Sequence, residues 1–391
     1  MARAERQRST GRRRRGGPGR SGANSLGAAV SRPALLRFAA DVTPDWITGV
    51  LSDAGLVGAD RRVTGLSGTP IGTGQMADTT RFTLEYDEGG AGPTTVVGKF
   101  ASADDQSRST GLALRAYEIE VRFYREVAGL VATRVPDAYA AEVEPETGWF
   151  TLLLQDIVGG RQGDQIEACG PDVAAAVLTE MAGLHAPCWE RPELAGLEWL
   201  NRNTPDTEPF LSALVSSLLP GFLERYADRL AHEHQEVCRQ FGAHLETWIG
   251  GREGPHTVSH GDFRLDNLLF QPGNPRPVVV DWQTAAWAPP SVDVAYFIGG
   301  CLSTEDRRAH EEDLLALYHE ELSRRGVRDY TMEQLRSDYR HATFGGVLMA
   351  IVASMVVQRT ERGDLMFLTS TTRHAQHVLD TGALELLVAA R

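Results

Sequence analysis

Two short stretches hold the residue types that phosphoryl transfer needs. HGDFRLDNLLF sets Asp262 and Asn267 five positions apart between two strand-like runs, and the apolar run VVVDWQ carries Asp281, nineteen positions beyond Asp262. Moving a phosphoryl group from a nucleotide to a hydroxyl requires a carboxylate that orients the hydroxyl and accepts its proton. It also requires oxygen ligands that hold Mg²⁺ against the phosphates. Asp262 fits the first role, Asn267 and Asp281 the second. Singly, each is unspecific: H-G-D arises by chance, and an aspartate at a strand end often only caps a turn. Their order and spacing together single them out.

Lys99 is the only lysine in 391 residues, although Lys and Arg together number 39. Arginine serves every other cationic position, so position 99 asks for what a guanidinium does not supply, a compact ammonium on a flexible stem. Lys99 lies in TTVVGKF, a β-branched run of strand character, ahead of a helical stretch that holds Glu118, Glu120 and Glu126. A lysine strand followed by a glutamate helix is an arrangement that grips nucleotide phosphates. Glu120 lies beside the apolar stripe Tyr117, Val121, Tyr124 and Ala128. Glu118 shares a face with Arg122 and Arg125, and Glu126 is nearer the helix end, so Glu120 is the expected partner of Lys99. Before the lysine, SGTPIGTGQMADTTR holds Gly72 and Gly74 in a G-x-G-x-x-G pattern closed by Ala77 instead of glycine. Such a pattern alone serves a hairpin turn equally well. Its place ahead of Lys99 marks it as a phosphate loop, where backbone amides approach phosphate because side chains are small.

The elements that must position these residues follow from periodicity. RRVTGLSG, DTTRFTLEYD and TTVVGKF read as an antiparallel meander, LALRAYEIEVRFYREVAGL as one helix, and DAYAAEVE and GWFTLLLQDI as two further strands. GGRQGDQ, at 159–165, breaks the pattern, and the chain beyond it reads as mostly helical with short strands at TVSH, NLLF and PVVVDW. The expected fold class is α+β and bilobal: a small antiparallel β-sheet lobe with one helix, joined by a hinge to a larger, mainly helical lobe. The expected division is a disordered Arg/Gly-rich tail over 1–30, a nucleotide-binding lobe and hinge over 31–158, and a helical lobe with catalytic loop and acceptor site over 159–391. Gln155, Asp156 and Ile157 leave the last strand of the small lobe and form the hinge, where backbone groups read an adenine edge.

HGDFRLDNLLF, VVVDWQ and PPSVDVAYF together resemble the aminoglycoside phosphotransferase and choline or ecdysteroid kinase-like family of small-molecule kinases, over about residues 60–300. That family has H-G-D where protein kinases have H-R-D. The resemblance implies a protein-kinase-like fold using ATP and Mg²⁺, with Asp262 as catalytic aspartate, Asn267 as metal-binding asparagine and Asp281 as the metal-binding aspartate that protein kinases carry in D-F-G. Asp281-Trp282-Gln283 at that place fits small-molecule kinases better and disfavours a protein substrate. Asp293 is similar to the family aspartate that holds the catalytic loop. His185 and His260 read as structural donors, and Arg264 as a contact of phosphate or of Asp281.

Charge narrows the partners. Residues 1–37 hold ten arginines against one acid, Glu5, so nine positive charges of the formal balance of −13 sit there and the rest of the chain carries −22. An acidic body argues against nucleic acid and permits a neutral or cationic small molecule. Cys169, Cys188, Cys238 and Cys301 are dispersed and read as reduced thiols. FGGVLMAIVASMVV, at 344–357, falls short of the roughly twenty residues a spanning helix needs and reads as a core helix, and the arginine-rich start lacks a clean apolar export region. We therefore expect a cytoplasmic enzyme with no membrane partner, phosphorylating a hydroxyl of an aminoglycoside, a choline-like, a steroid-like or a hydroxyacyl compound. The alternatives are a regulatory nucleotide-binding pseudokinase, against which the full set Lys99, Asp262, Asn267 and Asp281 argues, and a metal-dependent hydrolase, for which imidazole ligands are too few.

Overall fold

The computed structural model describes residues 33–72, 76–87, 92–201, 208–251 and 254–388; the expected tail over 1–30 and Gly74 lie outside them. Five strands build an antiparallel sheet: β1 (Val63–Pro70), β2 (Ala77–Tyr86), β3 (Thr95–Ala101), β4 (Ala138–Glu144) and β5 (Trp149–Gln155), in spatial order β1-β2-β3-β5-β4. The first three are the expected meander. β5 then inserts between β3 and β4, so Lys99 pairs with Thr79 on one side and Leu152 on the other.

Side chains alternate across a strand, and β3 uses this to separate two jobs. Val96 and Phe100 point into an outer core with Ile47, Val50 and Leu51 of α1 (Pro44–Asp53). That helix starts where the Thr43 hydroxyl accepts the Trp46 N–H at 3.2 Å and Pro44 takes the first turn. Val97 and Lys99 point the other way, toward the large lobe.

The helix expected over 112–130 is divided. α2 (Asp105–Ala113) stops, Arg115 takes a left-handed φ of 56°, α3 (Ala116–Arg122) begins, and a π turn over Phe123–Val127 carries it on. Two contacts explain the break. A Cβ at Gly111 would overlap the Tyr117 ring, so only glycine lets α2 fold back this closely. The Arg115 guanidinium is captured by Glu118 at 2.9 and 3.2 Å. With α1, the small lobe thus carries two helices beyond the one expected.

The large lobe includes α4 (Pro171–Cys188) and helices Ser291–Cys301, Thr304–Arg324, Phe344–Val356 and Glu361–Asp380. Short strand pairs frame the H-G-D loop: Thr257–Ser259 with Ala286–Ala288, and Leu268–Phe270 with Val278–Val279. One apolar core runs from Phe150 and Leu152 of the sheet through Phe123 and Trp282 to Leu178 and Phe297, so the lobes share packing as well as the hinge. Phe344, Val347 and Ile351 are buried in a second core, as expected for 344–357. Among the described residues one helical stretch, Met332–Val356, is long and apolar enough to cross a membrane, and half of its apolar window is buried in the protein.

Candidate active site

Lys99 stands at the junction of three segments. Its ammonium lies 2.7 Å from a Glu120 oxygen and 2.7 Å from Asp281 Oδ1. Glu120 is buried on α3; the competing Glu118 is held by Arg115 and Arg122, and Glu126 by Arg122 and the Trp199 indole. Burial by itself would push the Lys99 ammonium down, but the Asp281 and Glu120 carboxylates outweigh it and hold the ammonium above its ordinary range. Burial raises Glu120, partly offset by Lys99, while Asp281, despite its own burial, is held below the usual carboxylate range by the Lys99 charge. Two acids around one ammonium thus respond oppositely, and the cluster as a whole favours the charged lysine. Asp281 takes a φ of 67°, a left-handed conformation that among non-glycine residues is concentrated in Asn, Asp and His. The next residue, Trp282, is fully buried and stacks on Phe123 at 3.7 Å with planes 5° apart, tying the Asp281 turn to the continuation of α3.

The H-G-D loop is fixed mainly by hydrogen bonds. Asp293, buried at the start of helix Ser291–Cys301, accepts the backbone N–H of His260 at 2.7 Å and of Gly261 at 2.9 Å, as well as His185 Nε2 at 3.1 Å. These donors outweigh burial and hold its carboxyl below the usual range. His260 bonds the Val280 carbonyl through Nε2 at 3.0 Å and accepts the Asp262 N–H at Nδ1, 3.2 Å away, so both ring nitrogens serve the loop. Gly261 is required twice over: its φ is 78°, and a Cβ there would lie 2.6 Å from the Thr284 carbonyl. Asp262 Oδ2 accepts Arg264 Nε and Asn267 Nδ2, both at 3.0 Å, and Oδ1 accepts the Tyr296 hydroxyl at 2.9 Å. Arg264 also reaches Asp266 at 2.8 Å, so its ion pairs are with Asp262 and Asp266 rather than Asp281.

The remaining candidates lie as follows. Gly72 has a φ of 81°, and no atom of the other described residues lies within 4 Å of where a Cβ would be. The Asp156 carboxylate is engaged by Arg81 at 2.8 Å. Gln155, Asp156 and Ile157 line a cavity of about 360 Å³ together with Thr133, Arg134 and Gln271, but Lys99, Asp262 and Asp281 do not line it. Asn267 and Asp281 fit a hard cation. The Asn267 amide directs its N–H groups at Asp262 O and Oδ2, which leaves its carbonyl oxygen as the ligand end beside a carboxylate. No group of three or more His, Cys, Asp or Glu among the described residues could hold a metal. A small, all-oxygen donor set suits Mg²⁺, which keeps waters and takes phosphate oxygens, better than zinc, which favours N and S ligands, or calcium, which takes more oxygens.

The model of the phosphotransferase enzyme family (APH) matches residues 78–330, more than half of the 391-residue chain. The chain belongs to this family. It is an enzyme of the small-molecule phosphotransferase class, with the α+β fold expected of it. Similar solved structures include a candidate aminoglycoside phosphotransferase from Ralstonia eutropha, 15% identical, aligned over 89% of this chain and 100% of that one at a TM-score of 0.49. Aminoglycoside phosphotransferase APH(2'')-Ib with bound ADP is 16% identical over 80% and 94% at 0.46. A choline/ethanolamine kinase family protein from Mesorhizobium loti is 16% identical over 84% and 92% at 0.43. No curated protein matches the chain. Within this phosphotransferase, three contacts escaped sequence reasoning. Tyr296 lies one helical turn beyond Asp293, and that i, i+3 spacing was a usable signal. Gln165 accepts the Leu265 N–H at 3.1 Å from 100 residues away, and the Lys99–Asp281 pair spans 182 positions; neither separation leaves a local pattern.

Proposed function

We propose that this phosphotransferase is an ATP- and Mg²⁺-dependent kinase that phosphorylates a hydroxyl of a small molecule. The observation that carries the reading is the Lys99 ammonium joined at 2.7 Å to both Glu120 and Asp281, close to a loop that offers a hydrogen-bonded carboxylate. In this reading Lys99 keeps Glu120 as its anchor and turns its remaining N–H groups to the α- and β-phosphates. Gly72 and Gly74 bring backbone amides over them. Gln155, Asp156 and Ile157 receive the base through main-chain groups. Asn267 and Asp281 would hold Mg²⁺, which when bound neutralises charge on the phosphates.

Asp262 accepts the proton of the acceptor O–H as the oxygen attacks the γ-phosphorus. The bond from that phosphorus to the bridging oxygen of ADP breaks, ADP leaves with the electron pair, and the proton passes from Asp262 to water after release. Arg264 lies against the same carboxylate and limits charge build-up in the loop. Acceptors to test are aminoglycosides, choline-like amino alcohols, steroid-like alcohols and hydroxyacyl compounds, because one fold hosts many acceptors. A screen across these classes, with ADP release from Mg-ATP as readout and phosphorylated product identified by mass, tests the proposal. Nucleotide binding without ADP release or phosphorylated product in any class would favour the pseudokinase reading instead.

A further inference from the structure

Asp262 has donors of two kinds. Arg264 and Asn267 belong to its own loop, two and five positions away, whereas the Tyr296 hydroxyl comes from helix Ser291–Cys301, 34 positions on. Each carboxylate oxygen has room for two donors. Oδ2 already accepts both loop donors, while among the described residues Oδ1 accepts Tyr296 alone and keeps one lone pair.

The Tyr296 ring is itself backed by an unusual arrangement. His374, from helix Glu361–Asp380, is fully buried and lies parallel to it, with centroids 5.3 Å apart and planes 13° apart. Among the described residues neither nitrogen of His374 has a hydrogen-bond partner, which makes burying the ring costly. Glycines make the slot it occupies. A Cβ at Gly300 would lie 2.6 Å from His374 Nε2 and one at Gly299 2.9 Å from Nδ1, and Gly346 approaches closer still. A polar ring without polar partners, admitted by glycines on two helices, contributes shape: it is a plate against which Tyr296 rests.

We propose that Tyr296, backed by the ring of His374, is a positioning residue that turns Oδ1 of Asp262 toward the acceptor hydroxyl. The inference rests on the phosphotransferase reading above. The proton taken from the acceptor goes to the free lone pair of Oδ1, while Tyr296 and the two loop donors prevent the carboxylate from rotating. Misplacing a reacting group by about 1 Å can lower a rate on the order of 10²-fold.

The test uses the full chain and follows steady-state ADP release from Mg-ATP with water as acceptor, alongside calorimetric Mg-ATP affinity and the thermal midpoint. Tyr296→Phe keeps the ring and removes only the hydroxyl. It is expected to lower kcat roughly tenfold or more while Mg-ATP affinity stays within twofold of wild type. His374→Ala, which removes the plate but leaves the hydroxyl, is expected to lower kcat less. The double variant is expected to be no slower than Tyr296→Phe, because both changes act through one carboxylate. Wild-type kcat in Tyr296→Phe, losses that multiply in the double variant, or equal losses of kcat and Mg-ATP affinity would overturn the proposal. A wild-type protein that binds Mg-ATP but releases no ADP, with water or any acceptor of the screen, would overturn the kinase reading and this inference with it.

Discussion

The two halves of the candidate site are built on different principles. Around Lys99, one ammonium links three distant segments by charge: Glu120 is 21 positions away and Asp281 is 182. Around Asp262, two donors come from the loop itself, and Asp293 and Tyr296 anchor that loop to one helix. The first half is a hub. The second is a mesh. Removing the hub leaves two carboxylates facing each other with no cation between them, whereas removing a mesh member leaves the others in place. The hub should therefore control whether nucleotide and metal bind productively, and the mesh how fast the bound nucleotide reacts.

The sharpest separation comes from Asp262→Asn. Turnover is expected to fall about 10²–10⁴-fold, the usual contribution of a general base, with Mg-ATP affinity by calorimetry nearly unchanged. Turnover within a few-fold of wild type would mean that the mesh does not hold the base.

Next comes the hub itself. Lys99→Arg and Lys99→Ala are expected to lose activity alike, on the order of 10²–10³-fold, because a bulkier planar guanidinium does not reach two phosphates and Glu120 from the same stem. Both variants should stay folded by circular dichroism. As Lys99 is the only lysine, an acylating ATP analogue should label one internal site, mapped apart from the α-amine, and excess Mg-ATP should protect it. An active Lys99→Arg enzyme would show that charge alone suffices there.

Asp281→Ala is expected to weaken Mg-dependent nucleotide binding about 10–100-fold, the range seen when metal-site partners are removed, and to flatten the Mg²⁺ dependence. Titration of Mg-ATP checks this. An unchanged isotherm would move the cation away from Asp281 and blur the contrast between hub and mesh.

The smallest effect concerns the support behind the mesh. Burial, aided by the nearby His377, lowers the His374 pKa from 6.5 to about 3. Between those values the unfolded chain binds a proton that the folded protein refuses, so this histidine makes stability fall as pH drops from about 6.5 toward 3. His374→Ala should make thermal midpoints less steep across that acidic range, by a few degrees at most, whatever it does to the midpoint at neutral pH. Parallel curves for both proteins would place the acid sensitivity elsewhere.

How much of this was legible depended on distance along the chain. Glu120 was identifiable because a helical stripe of Tyr117, Val121 and Tyr124 declares which way α3 faces. The H-G-D loop was identifiable because spacing along one segment is local information, and Asp293 through the family resemblance of PPSVDVAYF. The division of α2 from α3 was missed, since it depends on the approach of Gly111 to Tyr117 and on Glu118 capturing Arg115. The insertion of β5 was missed too, because strand periodicity reports which face is buried and not which neighbour is hydrogen-bonded.

By itself, the amino-acid sequence determined the residue types available for chemistry and the alternation that puts Lys99 on the opposite face of β3 from Val96 and Phe100. These depend on periods of two or 3.6 residues and on backbone sterics, which act over a few positions. Tertiary structure alone decided that Asp281 meets Lys99, that Asp156 turns to Arg81, that Arg264 is occupied by Asp262 and Asp266, and that Tyr296 rests on His374. Those pairings join segments whose approach is set by the packing of two lobes around a shared core, and packing is a property of the whole chain.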